Sequence, residues 1–197
     1  MAPTPTKKEL LLKAAKELFG EYGYAETTFK KISERAGVAL GLLTHHFGNK
    51  EKLFLTAGLD VLHELIRTIQ TTVQDTPNGL EAVRAFCTSY FDFARDPGKD
   101  FMVLIRCSPF SDLKTISDKD LMVSSFSELY DILIACLARG IKDGSIRRLD
   151  ARKTAVVIFC NLVGGIRHGF LTPYGDDSMF DDIVAFLVDG LKPAPGV

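Results

Sequence analysis

An excess of charge of either sign is missing from this sequence: 24 Lys and Arg stand against 25 Asp and Glu, a formal net charge of −1. That balance excludes a blanket polycation but leaves room for a local basic patch. Residues 1–60 hold nine basic against seven acidic side chains, and the remainder 15 against 18, so the small positive surplus lies N-terminal. Cysteine is sparse. Cys87, Cys107, Cys136 and Cys160 are widely spaced, with no Cys-x-x-Cys, which argues against a zinc cage or a disulfide framework. All four sit in apolar stretches and are expected to be small buried hydrophobes. Long apolar runs are absent as well. The run 155–160 is far too short to cross a bilayer, and no N-terminal stretch resembles a signal peptide. The expectation is a cytoplasmic, reduced protein with no membrane segment.

The familiar catalytic patterns are also missing. There is no Gly-x-Ser-x-Gly, no His-Glu-x-x-His and no Gly-rich loop ending in Lys-Ser or Lys-Thr. His63-Glu64 is a lone pair on a helix, and Asp176-Asp177 and Asp181-Asp182 read as loop and helix-start acids. No catalytic residue, metal ligand or cofactor is assigned, and an enzyme is not expected.

What is present is helical periodicity over an ordinary globular composition of 46% hydrophobic and 25% charged residues. Thr6 and Glu9 form a capping box, followed by Leu11, Ala14, Ala15, Leu18, Phe19 and Tyr22 at three- and four-residue steps. Gly23 stops that helix. Thr27 or Thr28 caps a second, with Phe29, Ile32 and Ala36 on its apolar face, and Gly37 breaks it. A third covers about 40–47. Asn49 caps a fourth, which runs on through Leu53, Leu62, Leu65, Ile66 and Ile69. Further helices are read at about 80–95, at 101–107, from Ser117 and Asp120 to about Lys142, from Asp150 to Phe170, and from Ser178 to about Leu191. No strand pair or repeat emerges. The chain reads as all-α, with about nine helices.

Short helices joined by a tight Gly turn describe a helix-turn-helix, whose third helix enters the major groove while the second braces it across the backbone. Gly37 suits a turn with positive φ, and Val38 and Leu43 plug the gap between the two helices. The third helix carries little charge. Phosphate contacts therefore fall to its surroundings: Thr28 at a helix start, His46, and Lys50 at the start of the fourth helix. The pairs Lys7-Lys8 and Lys30-Lys31 read equally as solvated faces or as phosphate attractors.

Residues 6–59 resemble the DNA-binding domain of the tetracycline-repressor (TetR) family. The resemblance runs through Ala14-Ala15-Lys16-Glu17-Leu18-Phe19, Tyr22-Gly23-Tyr24-Ala25-Glu26-Thr27-Thr28 and Ile32-Ser33-Glu34-Arg35-Ala36-Gly37-Val38. It continues through Gly41, Leu43, His45-His46-Phe47 and Asn49-Lys50-Glu51-Lys52-Leu53. It implies a two-domain, all-helical homodimer that represses transcription and leaves its operator when a small molecule binds the C-terminal domain. The expected division is 1–52 for the helix-turn-helix and 53–197 for sensing and dimerisation. By position, Thr28, Ala39, Leu40, Gly41, Thr44, His45, His46 and Lys50 match the family's DNA-contacting sites. The chain departs from the family at Ala39-Leu40, where a Ser and then a polar residue are common, at Leu42, where a small residue is common, and at Thr44, where an aromatic is usual. Ala39, Leu40 and Leu42 donate no hydrogen bond, so thymine methyls and DNA shape become their targets, while Thr44 and His45 are able to bond base edges. A helical interaction module that has lost sequence-specific DNA binding is the alternative these departures keep open.

The C-terminal half holds most of the aromatics. Phe86, Tyr90, Met102, Arg106, Phe126, Tyr130 and Asn161 are the candidate lining of an effector pocket suited to an apolar or aromatic, acidic compound. Arg106 would either pair with the effector's charge or form a salt bridge to an acid such as Asp92. The helices at about 151–170 and 178–191 are apolar on more than one side. Val156, Val157, Phe159, Cys160, Val163 and Ile166 lie on the first and Phe180, Ile183, Val184, Phe186, Leu187 and Leu191 on the second. A surface that wide must be buried, and the two helices are expected to form a two-fold four-helix interface, with packing inside the chain as the alternative.

Overall fold

Thr6 and Glu9 cap each other. The Glu9 N–H donates to Thr6 Oγ1 at 3.2 Å and the Thr6 N–H to Glu9 Oε2 at 2.7 Å, which starts α1, Lys7–Glu26. Gly23 does not end this helix as expected. It adopts φ 78° and kinks it, and the chain resumes a helical course to Glu26. The second helix, α2 (Phe29–Ala36), takes Thr28 as its cap, the Thr28 hydroxyl accepting from the Lys31 N–H at 3.2 Å. Thr27 is buried instead, its hydroxyl held against the carbonyls of Gly23 and Leu18 at 2.7 and 3.0 Å.

The computed structural model describes residues 4–107, 119–176 and 178–194. Among them the remaining elements are α3 (Leu40–Phe47), α4 (Lys50–Gln74), α5 (Gly79–Arg95), a 3-10 turn (Pro97–Lys99), α6 (Met102–Cys107), α7 (Lys119–Asp143), α8 (Ala151–Leu171) and α9 (Ser178–Leu191). The fold is all-α, and the caps read from the sequence do their work. Asn49 accepts from the Lys52 N–H at 2.8 Å, Asn78 from Glu81 at 2.9 Å and Asp150 from Lys153 at 3.1 Å. The expected opening of α7 at Ser117 and the break at Ser108-Pro109 lie outside the described residues.

The chain divides into two compact units, residues 1–63 with 96–125 and residues 64–95 with 126–197. The first takes in the start of α4, which runs unbroken to Gln74, and α6, which packs on α1. Met102 and Val103 lie 3.5–3.6 Å from where a side chain on Gly20 would begin, and Val103 and Leu104 are buried. Arg106 Nε donates to the Gly20 carbonyl at 3.2 Å. Its guanidinium would crowd any β-carbon at Gly23, 2.8 Å from Nη1. Lys16 joins three elements, its ammonium 3.0 Å from Asp60 on α4 and 3.6 Å from Asp100 ahead of α6. Burial pushes the Asp100 carboxyl up, and Lys16 opposes that shift.

The second unit is built on α5, α7, α8 and α9 around an aromatic core. Phe91 meets Phe180 at 4.8 Å between ring centroids, Tyr130 meets Phe159 at 4.0 Å, and Phe86 meets Phe159 edge-on at 5.7 Å. One face of α8 (Ala155, Ile158, Phe159, Leu162, Ile166) and one of α9 (Phe180, Val184, Leu187, Val188, Leu191) are buried there. Val156, Val157 and Val163 of α8 and Phe186 of α9 remain exposed. By length and composition α8 is the one helix among the described residues apolar enough to cross a bilayer; its buried face is that of a core helix. The cysteines do not all follow the expectation. Cys87 and Cys136 are buried, their thiols pushed up by burial to about 12 and about 11. Cys160 is exposed, because it shares the outward face of α8 with Val156 and Val163.

Candidate nucleic-acid interface

The recognition surface begins with a glycine. Gly37 ends α2 at φ 63°, ψ 31°, a left-handed conformation that costs a residue with a β-carbon about 1 kcal/mol or more. The Gly37 N–H donates to the Glu34 carbonyl at 3.3 Å and the Val38 N–H to Ser33 at 3.1 Å, closing the turn. Val38 then plugs the corner, and Leu43 and Phe47 anchor α3 to the core. With these facing inward, Ala39, Leu40, Gly41, Thr44, His45 and His46 are all left exposed. Ala39 provides no side-chain cap, and its carbonyl accepts from the Leu42 N–H at 3.0 Å.

Thr28 is exposed at the start of α2, where unpaired N–H groups and the helix dipole favour an anion. The cations around it are partly engaged. Lys31 donates to the Glu26 carbonyl at 2.8 Å and lies over the Tyr22 ring at 5.5 Å, and Arg35 pairs with Glu17 at 3.0 Å. Lys50 donates to the Tyr24 carbonyl at 2.9 Å and sits 4.2 Å over the Tyr24 ring. Tyr24 is in turn held against Phe54 and Phe19, which contact each other. Lys50 is thus a restrained cation at the foot of α4 and not a freely swinging one. An ammonium has three donors, so the carbonyl bond leaves capacity for a phosphate. Its link to Tyr24 spans 26 residues and has no local signal in the sequence.

The candidate effector residues are divided between the two units. Phe86 and Tyr90 are buried in the second unit, where Tyr90 and Tyr130 both meet Phe159 and burial raises the hydroxyl pKa of each. Phe126 is half-buried in the same unit. Met102 and Arg106 belong to the first unit, on α6. Arg106 does not pair with Asp92, which instead joins Arg95 on α5. Asn161 donates to the Val157 carbonyl at 2.8 Å on its own helix. It borders a surface hollow of about 480 Å³ with His168, Tyr174 and Phe186.

The family model for bacterial regulatory proteins of the tetR family matches residues 11–57, the stretch that carries α1, α2, α3 and the first turns of α4. The regulator TtgR of Pseudomonas putida is 29% identical over 180 residues, 87% of this chain and 83% of its own. The matched stretch 11–57 is a tetR-family DNA-binding domain. The chain's relatives include the HTH-type transcriptional activator FasR of Mycolicibacterium smegmatis, 23% identical over 98% of this chain and 86% of that protein. The solved structure of the Bacillus subtilis regulator FadR in complex with stearoyl-CoA has the same fold, with a TM-score of 0.78 at 20% identity over 92% of this chain and 98% of that one. As a transcription regulator, the chain carries the helix-turn-helix of the matched domain on α2 and α3.

Proposed function

We propose that this regulator is a repressor that binds palindromic operator DNA as a homodimer and is released by a small apolar or aromatic molecule. The observation that carries the DNA-reading part is the split of α3. Leu43 and Phe47 are locked inside, while Ala39, Leu40, Gly41, Thr44, His45 and His46 stand exposed, with Thr28 at the start of α2 and Lys50 at the start of α4. Phosphate contacts from Thr28, His46 and Lys50 would fix register, and the exposed face of α3 would supply base contacts. The dimer is assigned to α8 and α9. The effector is assigned to the aromatic second unit, with Phe86, Tyr90, Phe126 and Tyr130 as its apolar surroundings, and Met102, Arg106 and Asn161 as outer candidates. A reader of chromosomal DNA acts in the cytoplasm, and we place this one there.

Release is a population shift. A molecule that binds the DNA-incompetent dimer about 100-fold better supplies roughly 2.7 kcal/mol of coupling. The α4 helix is the natural lever, since it starts at Lys50 and continues unbroken to Gln74.

Selection of binding sites from random duplex DNA at two salt concentrations tests the reading. Enrichment of a palindrome with half-sites about one helical turn apart, its affinity falling steeply with salt, is the expected result. Weak binding without enrichment, persisting after the protein is unfolded, stripped of ligand and refolded, would leave a helical interaction module. Apolar acids and long-chain acyl thioesters, the class found on FadR, form the first panel for release from the selected site. Lys50→Ala is expected to weaken binding to every sequence and to lower the slope of log affinity against log salt by about one per protomer. It should also destabilise the head by about 1 kcal/mol through loss of the Tyr24 bond. A variant with an unchanged salt slope would remove Lys50 from the phosphate contacts.

A further inference from the structure

Among residues 4–63 the large apolar side chains that stand exposed are Tyr22 and Leu40. The Tyr22 ring lies beneath the Lys31 ammonium. Leu40, 49% exposed, is the first residue of α3. The core does not need it, because Leu43 and Phe47 already anchor the helix. Its neighbours Ala39 and Gly41 are equally unable to hydrogen-bond through side chains. A β-carbon added at Gly41 would meet nothing within 4 Å, so the leading end of the helix is open to close approach. In the major groove each base pair presents hydrogen-bonding atoms that Leu40 cannot use, and one apolar feature, the C5 methyl of thymine.

Resting on the DNA-reading function above, we propose that Leu40 reads a pyrimidine C5 methyl group, making it a specificity-determining residue for one thymine in each operator half-site. The polar members of the face, Thr44 and His45, lie one turn further along α3 and are left to address hydrogen-bonding edges. Because the recognised group is the methyl itself, 5-methylcytosine presents the same feature as thymine. Methylation of a cytosine placed at that position would strengthen binding.

The selected operator supplies the test. Each thymine is replaced in turn by deoxyuridine, which removes the methyl and leaves the pairing unchanged. At one position per half-site affinity should fall about fourfold, and about fifteenfold when both half-sites are changed, the effect of one methyl left unburied at each. Deoxycytidine at that position should bind less well than 5-methyldeoxycytidine by a similar factor. Leu40→Ala should bind the thymine and uracil operators equally while keeping the parent's helical circular dichroism. Parent protein indifferent to uracil at every position would overturn the proposal, as would a Leu40→Ala variant that keeps full discrimination. A selection that yields no operator at all would instead overturn the DNA-reading function on which the proposal rests.

Discussion

Gly79→Ala is expected to destabilise the protein by about 3–5 kcal/mol, a loss on the scale of the severest single-residue effects. Gly79 opens α5 where that helix meets α7, and a β-carbon there would overlap the backbone nitrogen and Cα of Gly140. A flexible side chain can move aside, but two backbones in contact can separate only by moving a helix. The contact is also fastened by hydrogen bonds. Asp143 accepts from the Gly79 N–H at 2.8 Å and from the Ser145 N–H at 2.9 Å, and the Leu80 N–H donates to the Ser145 hydroxyl at 3.1 Å. These bonds, those from Ser145 foremost, hold the Asp143 carboxyl below the usual carboxylate range. Prising the helices apart would unseat this junction and leave its donors without partners. For a chain of this size each kcal/mol moves the melting temperature by about 2–4 °C, so calorimetry should record a fall of roughly 6–20 °C. Gly190→Ala is the control. A β-carbon there meets nothing within 4 Å, and a glycine inside a helix weakens it by up to about 1 kcal/mol, so stability should hold or rise. Equal losses in the two variants would mean that the α5–α7 contact is looser than the packing requires.

The reading head is legible in the sequence because its signals are local. The Thr6–Glu9 box, the Thr28 cap, the Gly37 turn and the Asn49 cap each act within five residues. The apolar spacing that buries Leu43 and Phe47 fixes which residues of α3 face outward. What is not legible depends on contacts distant in sequence. The bond from Arg106 to Gly20 spans 86 residues, so its part in bracing the head follows from the packing of α6 on α1 and has no local signal. Gly23 reads as a stop because glycine commonly ends helices; here its positive φ bends α1 where the Arg106 guanidinium lies. Cysteine burial fails as a guide at Cys160, since an apolar neighbourhood in sequence does not say which face of a two-sided helix a residue occupies. The separate placements of Phe86, Arg106 and Asn161 have the same cause. Aromatic and polar interruptions mark a helix, while the partner each one meets is set by tertiary packing.

Phe186→Glu, alone or with Val157→Glu, is expected to convert the proposed dimer to a folded monomer and to lower operator affinity by about 10²–10⁴-fold, the advantage lost when two linked half-site contacts become independent. Phe186 is 76% exposed and Val157 56% exposed in the isolated chain. Neither contributes to the aromatic core, so the fold itself should tolerate both changes. Val156, Val163, Phe170 and Leu171 are also exposed on α8, and Tyr174 just beyond it. Exposed apolar side chains in this number on two helices suit an interaction site. Covering one Phe side chain contributes roughly 1.5–3 kcal/mol, and a two-fold interface contains every such residue twice. Glutamate in its place removes that contribution and asks two carboxylates to leave water without partners, at several kcal/mol for each. Sedimentation should give a mass near 21.7 kDa for the variant and twice that for the parent, with the same helical circular dichroism. The monomer should still bind random duplex with a salt slope about half the parent's, since each head keeps its own phosphate contacts. A dimer that survives both substitutions would assign the interface to another surface, while a monomer with undiminished operator affinity would separate DNA reading from dimerisation.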